Sequence, residues 1–157
     1  MANEFTANDI FDIAIEIEQN GARFYRKAAN LVDQDIHKQF LTSLADMEDD
    51  HEKTFTAMKT QLEGSEAAAT VFDPDDENTR YLKALADTRV FFQKEQPEPS
   101  MKGILTAAIA AEKDSISFYL GIKELVPEKL GKSRVQDIIK EEMRHIQLLA
   151  GKLTEFA

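Results

Sequence analysis

Apolar residues recur at helical spacing along most of the chain and predict four long helices. In the first, over about 6–32, apolar or small side chains return every three or four positions, as on one face of an α-helix. Similar stripes predict helices over about 35–63, over about 100–126 and from Ser133 nearly to the C-terminus. Gly64 is expected to end the second helix, and all four prolines fall between the predicted helices.

Polar residues at the predicted helix starts fit the requirements of helix caps. Thr6 and Asp9 have the spacing of a capping box, and Ser133 and Gln136 repeat that spacing at the fourth helix. Ser100 is expected to cap the third helix through its hydroxyl group. These caps support the helix boundaries that the hydrophobic pattern gives.

The connections between the predicted helices define the topology. The first two helices are joined by a few residues, as are the last two, so each pair is expected to form an antiparallel hairpin. The middle connection, about 65–99, is long enough to run along the bundle, and we expect it to contain a short helix over about 75–92. Residues 1–157 therefore predict a single all-α domain, a ferritin-like antiparallel four-helix bundle with two hairpins and a long crossover.

The chain contains an internal repeat whose two copies carry residue types that bind metals. Each copy has a glutamate and, 30 residues later, a Glu-x-x-His motif. The first copy consists of Glu18, Glu48 and His51. The second copy, offset by 94 residues, consists of Glu112, Glu142 and His145. The glutamates lie on mostly apolar helix faces, where buried carboxylates need positive partners, and two divalent cations would balance all four charges. Carboxylate and imidazole ligands suit iron, manganese or zinc.

Two tyrosines are the candidate catalytic residues of the repeat. Tyr25 and Tyr119 follow Glu18 and Glu112 by seven residues, about two helical turns, and so point in the same direction. Each tyrosine could donate a hydrogen bond to a ligand carboxylate, supply an electron, or be a buried aromatic residue with a satisfied hydroxyl. The third histidine of the chain, His37, is expected to face solvent.

The composition narrows the possible partners and location. The net charge of −10 disfavours binding to nucleic acid and to anionic membranes. The sequence has no cysteine, which excludes a thiolate metal site, and no apolar run long enough to span a membrane. The first residues lack the basic segment and apolar core of a signal peptide, so we expect a cytoplasmic protein.

The motifs of the repeat resemble those of the rubrerythrin-type diiron domain of the ferritin-like superfamily. The matching positions are Glu18-x-x-Gly21-x-x-Phe24-Tyr25, Glu48-x-x-His51, Glu112-x-x-Ser115-x-x-Phe118-Tyr119 and Glu142-x-x-His145. The resemblance implies a cofactor of two iron ions. One iron would have Glu18 and His51 as terminal ligands. The other would have Glu112 and His145, and the glutamates of the two Glu-x-x-His motifs would bridge the irons.

The resemblance also implies an activity, with two departures from the family pattern. It implies a non-haem diiron oxidoreductase that oxidises Fe(II) with reduction of hydrogen peroxide or dioxygen, a peroxidase or ferroxidase in oxidative-stress defence. The absence of cysteine leaves no site for a rubredoxin-type iron, so an external donor such as a separate rubredoxin-like protein is expected. Ser115 stands where rubrerythrins carry a further glutamate ligand, which brings the ligand set closer to the bacterioferritin pattern.

Two other functions are compatible with the same residues. The chain could be a ferritin-type iron storage or delivery protein, in which the site oxidises iron for a protein cage. It could also be a non-catalytic helical module that binds zinc or no metal. By the resemblance we expect a homodimer.

Overall fold

The described part of the chain is built from helices and contains no β-strand. The computed structural model describes residues 6–63, 77–88 and 99–156. The helices are α1 (Ala7–Leu31), α2 (Asp35–Glu63), α3 (Glu77–Thr88), α4 (Met101–Leu125) and α5 (Lys132–Leu153), with single 3₁₀ turns at Glu128–Leu130 and Thr154–Phe156. The predicted all-α class is confirmed. The predicted end of the second helix at Gly64, and residues 75–76 and 89–92 of the predicted crossover helix, lie outside the described residues.

Two of the three predicted caps are present. The Thr6 hydroxyl accepts a hydrogen bond from the backbone N–H of Asp9, while the Asp9 carboxylate accepts one from the backbone N–H of Thr6 at 2.8 Å. The Ser100 hydroxyl accepts a hydrogen bond from the backbone N–H of Gly103 at 3.1 Å. Each cap satisfies an amide that the first helical turn leaves without a partner.

The predicted capping box at the start of α5 is wrong. The helix begins at Lys132, and the residue before it, Gly131, adopts a left-handed conformation with φ 112°. The Ser133 hydroxyl donates instead to the Glu128 carboxylate at 2.8 Å. The reason is that the left-handed glycine turns the chain directly from the 3₁₀ turn into the helix, which places Ser133 inside the first turn.

The helices pack as two hairpins whose apolar faces form one core. Helices α1 and α2 make the first hairpin, and α4 and α5 make the second, as predicted. Helix α3 lies against α4, where Leu82 is fully buried and the Tyr81 hydroxyl donates to the Ser117 carbonyl at 2.8 Å. None of the helices in the described ranges is long and apolar enough to cross a membrane.

The expectation that His37 faces solvent is wrong. The side chain is 9 % exposed, and its ring packs on Phe156 with centroids 5.4 Å apart. The 3₁₀ turn after α5 brings Phe156 over the start of α2, a tertiary contact that the local sequence around His37 does not signal.

Two glycine substitutions are expected to change stability in opposite directions. Alanine at Gly131 would hold a left-handed conformation that costs an L-residue about 1–2 kcal/mol, and its Cβ would approach Met58 Cε at 2.6 Å. Gly151 lies within α5, and a Cβ there meets nothing within 4 Å. Gly151→Ala should therefore stabilise the protein by up to about 1 kcal/mol. Urea unfolding followed by circular dichroism measures both changes, and stabilisation by Gly131→Ala would contradict this account.

Candidate metal centre

The six residues of the repeat meet in the centre of the bundle. Each long helix contributes one glutamate from its buried face, and α2 and α5 each add a histidine one turn further on, because residues three apart share a helical face. All six residues are at most 3 % exposed. The set consists of Glu18 on α1, Glu48 and His51 on α2, Glu112 on α4, and Glu142 and His145 on α5.

The six residues divide into two overlapping groups of four. One group holds Glu18 and His51 from the first hairpin, and the other holds Glu112 and His145 from the second. Both groups include Glu48 and Glu142. Within each group the candidate ligand atoms lie within 4.8 Å of one another. We call the first group the Glu18/His51 position and the second the Glu112/His145 position.

Each of the two shared glutamates directs one of its oxygens to the Glu18/His51 position and the other oxygen to the Glu112/His145 position. Glu142 Oε1 lies 2.8 Å from His51 Nδ1, and its Oε2 lies 3.0 Å from His145 Nδ1. Glu48 is arranged in the same way, with Oε2 at 4.0 Å from His51 Nδ1 and Oε1 at 3.4 Å from His145 Nδ1. This is the orientation that a carboxylate needs in order to bridge two cations.

Most of the inward-facing polar atoms have no hydrogen-bond partner. They include both carboxylate oxygens of Glu142, one each of Glu18, Glu48 and Glu112, and Nδ1 of His51 and of His145. Buried polar atoms without partners are costly, and such groups occur where an ion is bound. Carboxylate oxygens and imidazole nitrogens in this number fit two divalent transition-metal ions, so the donor set is compatible with metal binding.

The two tyrosines of the repeat connect the hairpins across the centre. The Tyr25 hydroxyl on α1 donates to Glu112 Oε1 on α4 at 2.7 Å, and the Tyr119 hydroxyl on α4 donates to Glu18 Oε1 on α1 at 2.5 Å. The other oxygen of each carboxylate, Oε2, remains without a hydrogen-bond partner. Burial, followed by the nearby carboxylate charges, raises the pKa of both tyrosines well above the usual value, which keeps the hydroxyls protonated as donors.

Burial and crowding make the centre hold protons when no cation is present. Desolvation, with the charges of the neighbouring glutamates, raises the pKa of Glu48 and of Glu142 well above the ordinary range. Burial alone lowers the pKa of the histidines, but contacts with carboxylates outweigh it and raise the pKa of His51 to about 11 and that of His145 to about 9. Burial also opposes ionisation of Glu112, yet contacts with Glu142 and His145 lower its pKa to about 2.

These pKa directions all reduce the negative charge of the centre. The raised pKa of Glu48 and Glu142 favours the neutral carboxyl form, and the raised pKa of both histidines favours the imidazolium form. Divalent cations bound by the same side chains would supply positive charge in place of these protons.

The outer nitrogens of the two histidines have different partners that the sequence pattern did not reveal. His51 Nε2 hydrogen-bonds to the carboxylate of Glu141, which is 50 % exposed, whereas His145 Nε2 lies 3.1 Å from Met47 Sδ. Residues 47 and 141 are themselves 94 apart, so the repeat pairs the two positions but does not indicate their contacts. Ser115 is buried, and its hydroxyl donates to the Ala111 carbonyl of its own helix at 3.0 Å.

A surface pocket between α2 and α5 leads to the ring edges of His51 and His145 that carry Nε2. Its volume is about 440 Å³, and its lining includes both histidines, Met47 and Glu141. The two imidazole rings stack with centroids 5.6 Å apart and separate the pocket from the carboxylates. The pocket therefore connects solvent with the histidine side of the centre.

Comparison with known proteins supports the fold. A family model described as a ferritin-like domain matches residues 6–155. The crystal structure of a protein described as a ferritin-like diiron-carboxylate protein, from Thermotoga maritima, superposes with a TM-score of 0.73 at 24 % sequence identity, and the match covers 100 % of both chains. No curated protein sequence matches the chain. With the family model covering nearly all of its length, the chain belongs to the ferritin-like domain family.

Proposed function

We propose that this chain is a non-haem diiron oxidoreductase that oxidises Fe(II) with reduction of hydrogen peroxide or dioxygen, a rubrerythrin-like activity in oxidative-stress defence. The observation that carries the proposal is the orientation of Glu48 and Glu142. Each glutamate offers one oxygen to each of two positions that have their own glutamate and histidine. A site for one ion would not need two bridging carboxylates, whereas two ions held close together can act on one small oxidant.

The terminal ligands are oriented by the tyrosines before any ion binds. Tyr119 engages Oε1 of Glu18, which leaves Oε2, 3.5 Å from His51 Nδ1, available to the ion. Tyr25 engages Oε1 of Glu112, an oxygen that also lies 3.4 Å from His145 Nδ1. Each tyrosine also links the two hairpins, so its hydroxyl fixes the distance between the half-sites. The fully buried surroundings exclude bulk water from the carboxylates.

Two bound Fe(II) ions would supply the two electrons that reduce one molecule of hydrogen peroxide to water. The reduction also consumes two protons. Because bound cations displace the protons of Glu48 and Glu142, these two protons would come from solvent. The pocket brings a small oxidant from solvent as far as the two histidines.

The electron donor that would return the irons to Fe(II) is proposed to be a separate protein. These 157 residues contain no cysteine that could hold a rubredoxin-type iron. A donor would have to approach within electron-transfer distance of the buried centre, and the α2–α5 face is the place where the histidines come nearest to the surface.

The proposed activity predicts oxidant-dependent formation of Fe(III) that requires the shared glutamates. Metal-free protein loaded anaerobically with two equivalents of Fe(II) should consume about one equivalent of hydrogen peroxide per chain, with a rise in near-ultraviolet ferric absorbance. Glu48→Ala and Glu142→Ala should each slow the absorbance change by about tenfold or more. Glu16→Ala, which removes an exposed glutamate from α1, is the matched control and should leave the rate unchanged. Equal rates in all four proteins would refute the proposal.

Metal binding is expected to release protons at neutral pH. The pKa of His51 is about 11 and that of His145 is about 9, so both imidazoles hold a proton in the metal-free protein at pH 7, and cations must displace them. The raised pKa of Glu48 and of Glu142 adds to the release in the same direction. Two equivalents of Zn(II) should therefore release at least about two protons per chain at pH 7. At pH 10 the contribution of His145 should disappear, because its proton is already lost. A pH-indicator dye in weakly buffered solution measures the release, and a value below about one proton at pH 7 contradicts this charge balance.

Removing a ligand-orienting hydroxyl should weaken metal binding with little loss of packing. Tyr25→Phe and Tyr119→Phe each leave a terminal glutamate free to rotate and should lower Zn(II) affinity by about 10-fold, measured by competition with a chromophoric chelator. Tyr81→Phe is the matched control, since Tyr81 donates to a backbone carbonyl outside the centre. An unchanged affinity in both inner variants would show that the tyrosines only fill space.

A further inference from the structure

The two halves of the centre match at the ligands and differ at the residue behind each histidine. His51 is backed by the carboxylate of Glu141, which comes from α5, and His145 is backed by the thioether of Met47, which comes from α2. Positions 47 and 141 correspond under the 94-residue offset, and each directly precedes a shared glutamate. The internal repeat is therefore chemically asymmetric at a position that contacts both histidine rings.

The two backing groups act differently on a histidine that binds a cation through Nδ1. A carboxylate accepts a strong hydrogen bond from Nε2–H, which fixes the tautomer and the ring orientation and increases electron donation from Nδ1. A thioether sulfur is a weak acceptor and provides little of this support. Loss of such a partner typically lowers metal affinity by about 10–100-fold.

We propose that the two metal positions are unequal, with the Glu18/His51 position the tighter one and Glu141 its positioning residue. The Glu112/His145 position, backed by Met47, is the weaker and more exchangeable one. This inference rests on the proposed function, since it assumes that both positions bind divalent cations. It goes further because it assigns which of the two ions is bound more tightly and which residue causes the difference in affinity.

Both backing residues are accessible from solvent. The side chain of Glu141 is 50 % exposed, residue Met47 is 37 % exposed, and both line the pocket between α2 and α5. Substitution at either position therefore changes the partner of one histidine without opening the core.

The test follows each histidine separately during a titration with Zn(II). The chain has three histidines, so nuclear magnetic resonance of protein labelled with ¹⁵N at histidine gives a simple ring spectrum, assigned with single His→Gln variants. At one equivalent of Zn(II), about three-quarters of His51 and about one quarter of His145 should be in the bound form, the distribution expected for an affinity ratio of about ten. His37, which packs on Phe156 away from the centre, should not shift and reports adventitious surface binding.

The outcomes separate this inference from the proposed function. Equal filling of His51 and His145 at one equivalent would overturn the asymmetry and leave a two-metal centre in place. If neither ring shifts at two equivalents, the centre does not bind the metal, and the proposed function fails together with this inference. Preferential filling of His145 would overturn the assignment directly.

Exchange of the two backing residues provides the decisive variant. The double substitution Met47→Glu with Glu141→Met keeps the composition and the net charge and should reverse the order, so that His145 fills first. Should this variant fail to fold, Glu141→Gln is compared with Asp137→Asn, which removes a charge from the same pocket. Only Glu141→Gln should narrow the difference between the positions, and an equal effect of both would attribute the difference to pocket charge and overturn the role of Glu141.

Discussion

The placement of four carboxylates at the centre of the bundle is the constraint on which the rest of the structure depends. Each long helix buries one glutamate at 1 % exposure or less, and like charges this close oppose one another strongly in a poorly solvated interior. The helices can close only if positive charge accompanies the carboxylates. The raised pKa of Glu48, Glu142 and both histidines favours their protonated forms, which reduces the negative charge, and two divalent cations would have the same effect. Closure of the bundle and occupation of the centre are thus linked.

Neither hairpin forms the centre alone, because each needs residues of the other hairpin. The first hairpin carries Glu18, but the hydroxyl that orients this carboxylate belongs to Tyr119 on the second hairpin, and Tyr25 does the same for Glu112 in the opposite direction. The shared glutamates likewise come one from each hairpin and serve both positions. Docking of the hairpins therefore assembles the candidate ligands and orients them in the same step, which explains how buried carboxylates acquire defined rotamers without an ion.

Local signals made most of the fold predictable, and the offset of 94 residues made the convergence of the six candidate ligands predictable as well. Helical periodicity, the Thr6 cap and the connection lengths depend on neighbours in sequence, so one chain suffices to find them. His37 was misjudged because Phe156 covers it from the other end of the chain, and Ser133 because the conformation of Gly131 decides where α5 begins. Glu141 and Met47 were missed because their partners lie on a different helix. Their role as partners depends on how closely α2 and α5 approach, which helical periodicity does not determine.

The two halves of the centre carry matching candidate ligands, so the difference between Glu141 and Met47 behind the two histidines becomes important. Reduction of hydrogen peroxide needs two electrons, and a centre with one occupied position can supply only one of them from Fe(II). If the two positions are unequal as proposed, the weaker one would determine how much of the protein is competent at a given iron concentration, whatever the affinity of the stronger one. Because Met47 backs that position from a half-exposed site, its sulfur can be changed without disturbing the carboxylates. In the proposed reaction the paired hairpins fix the geometry, and residues 47 and 141 would set the iron concentration at which the reaction begins.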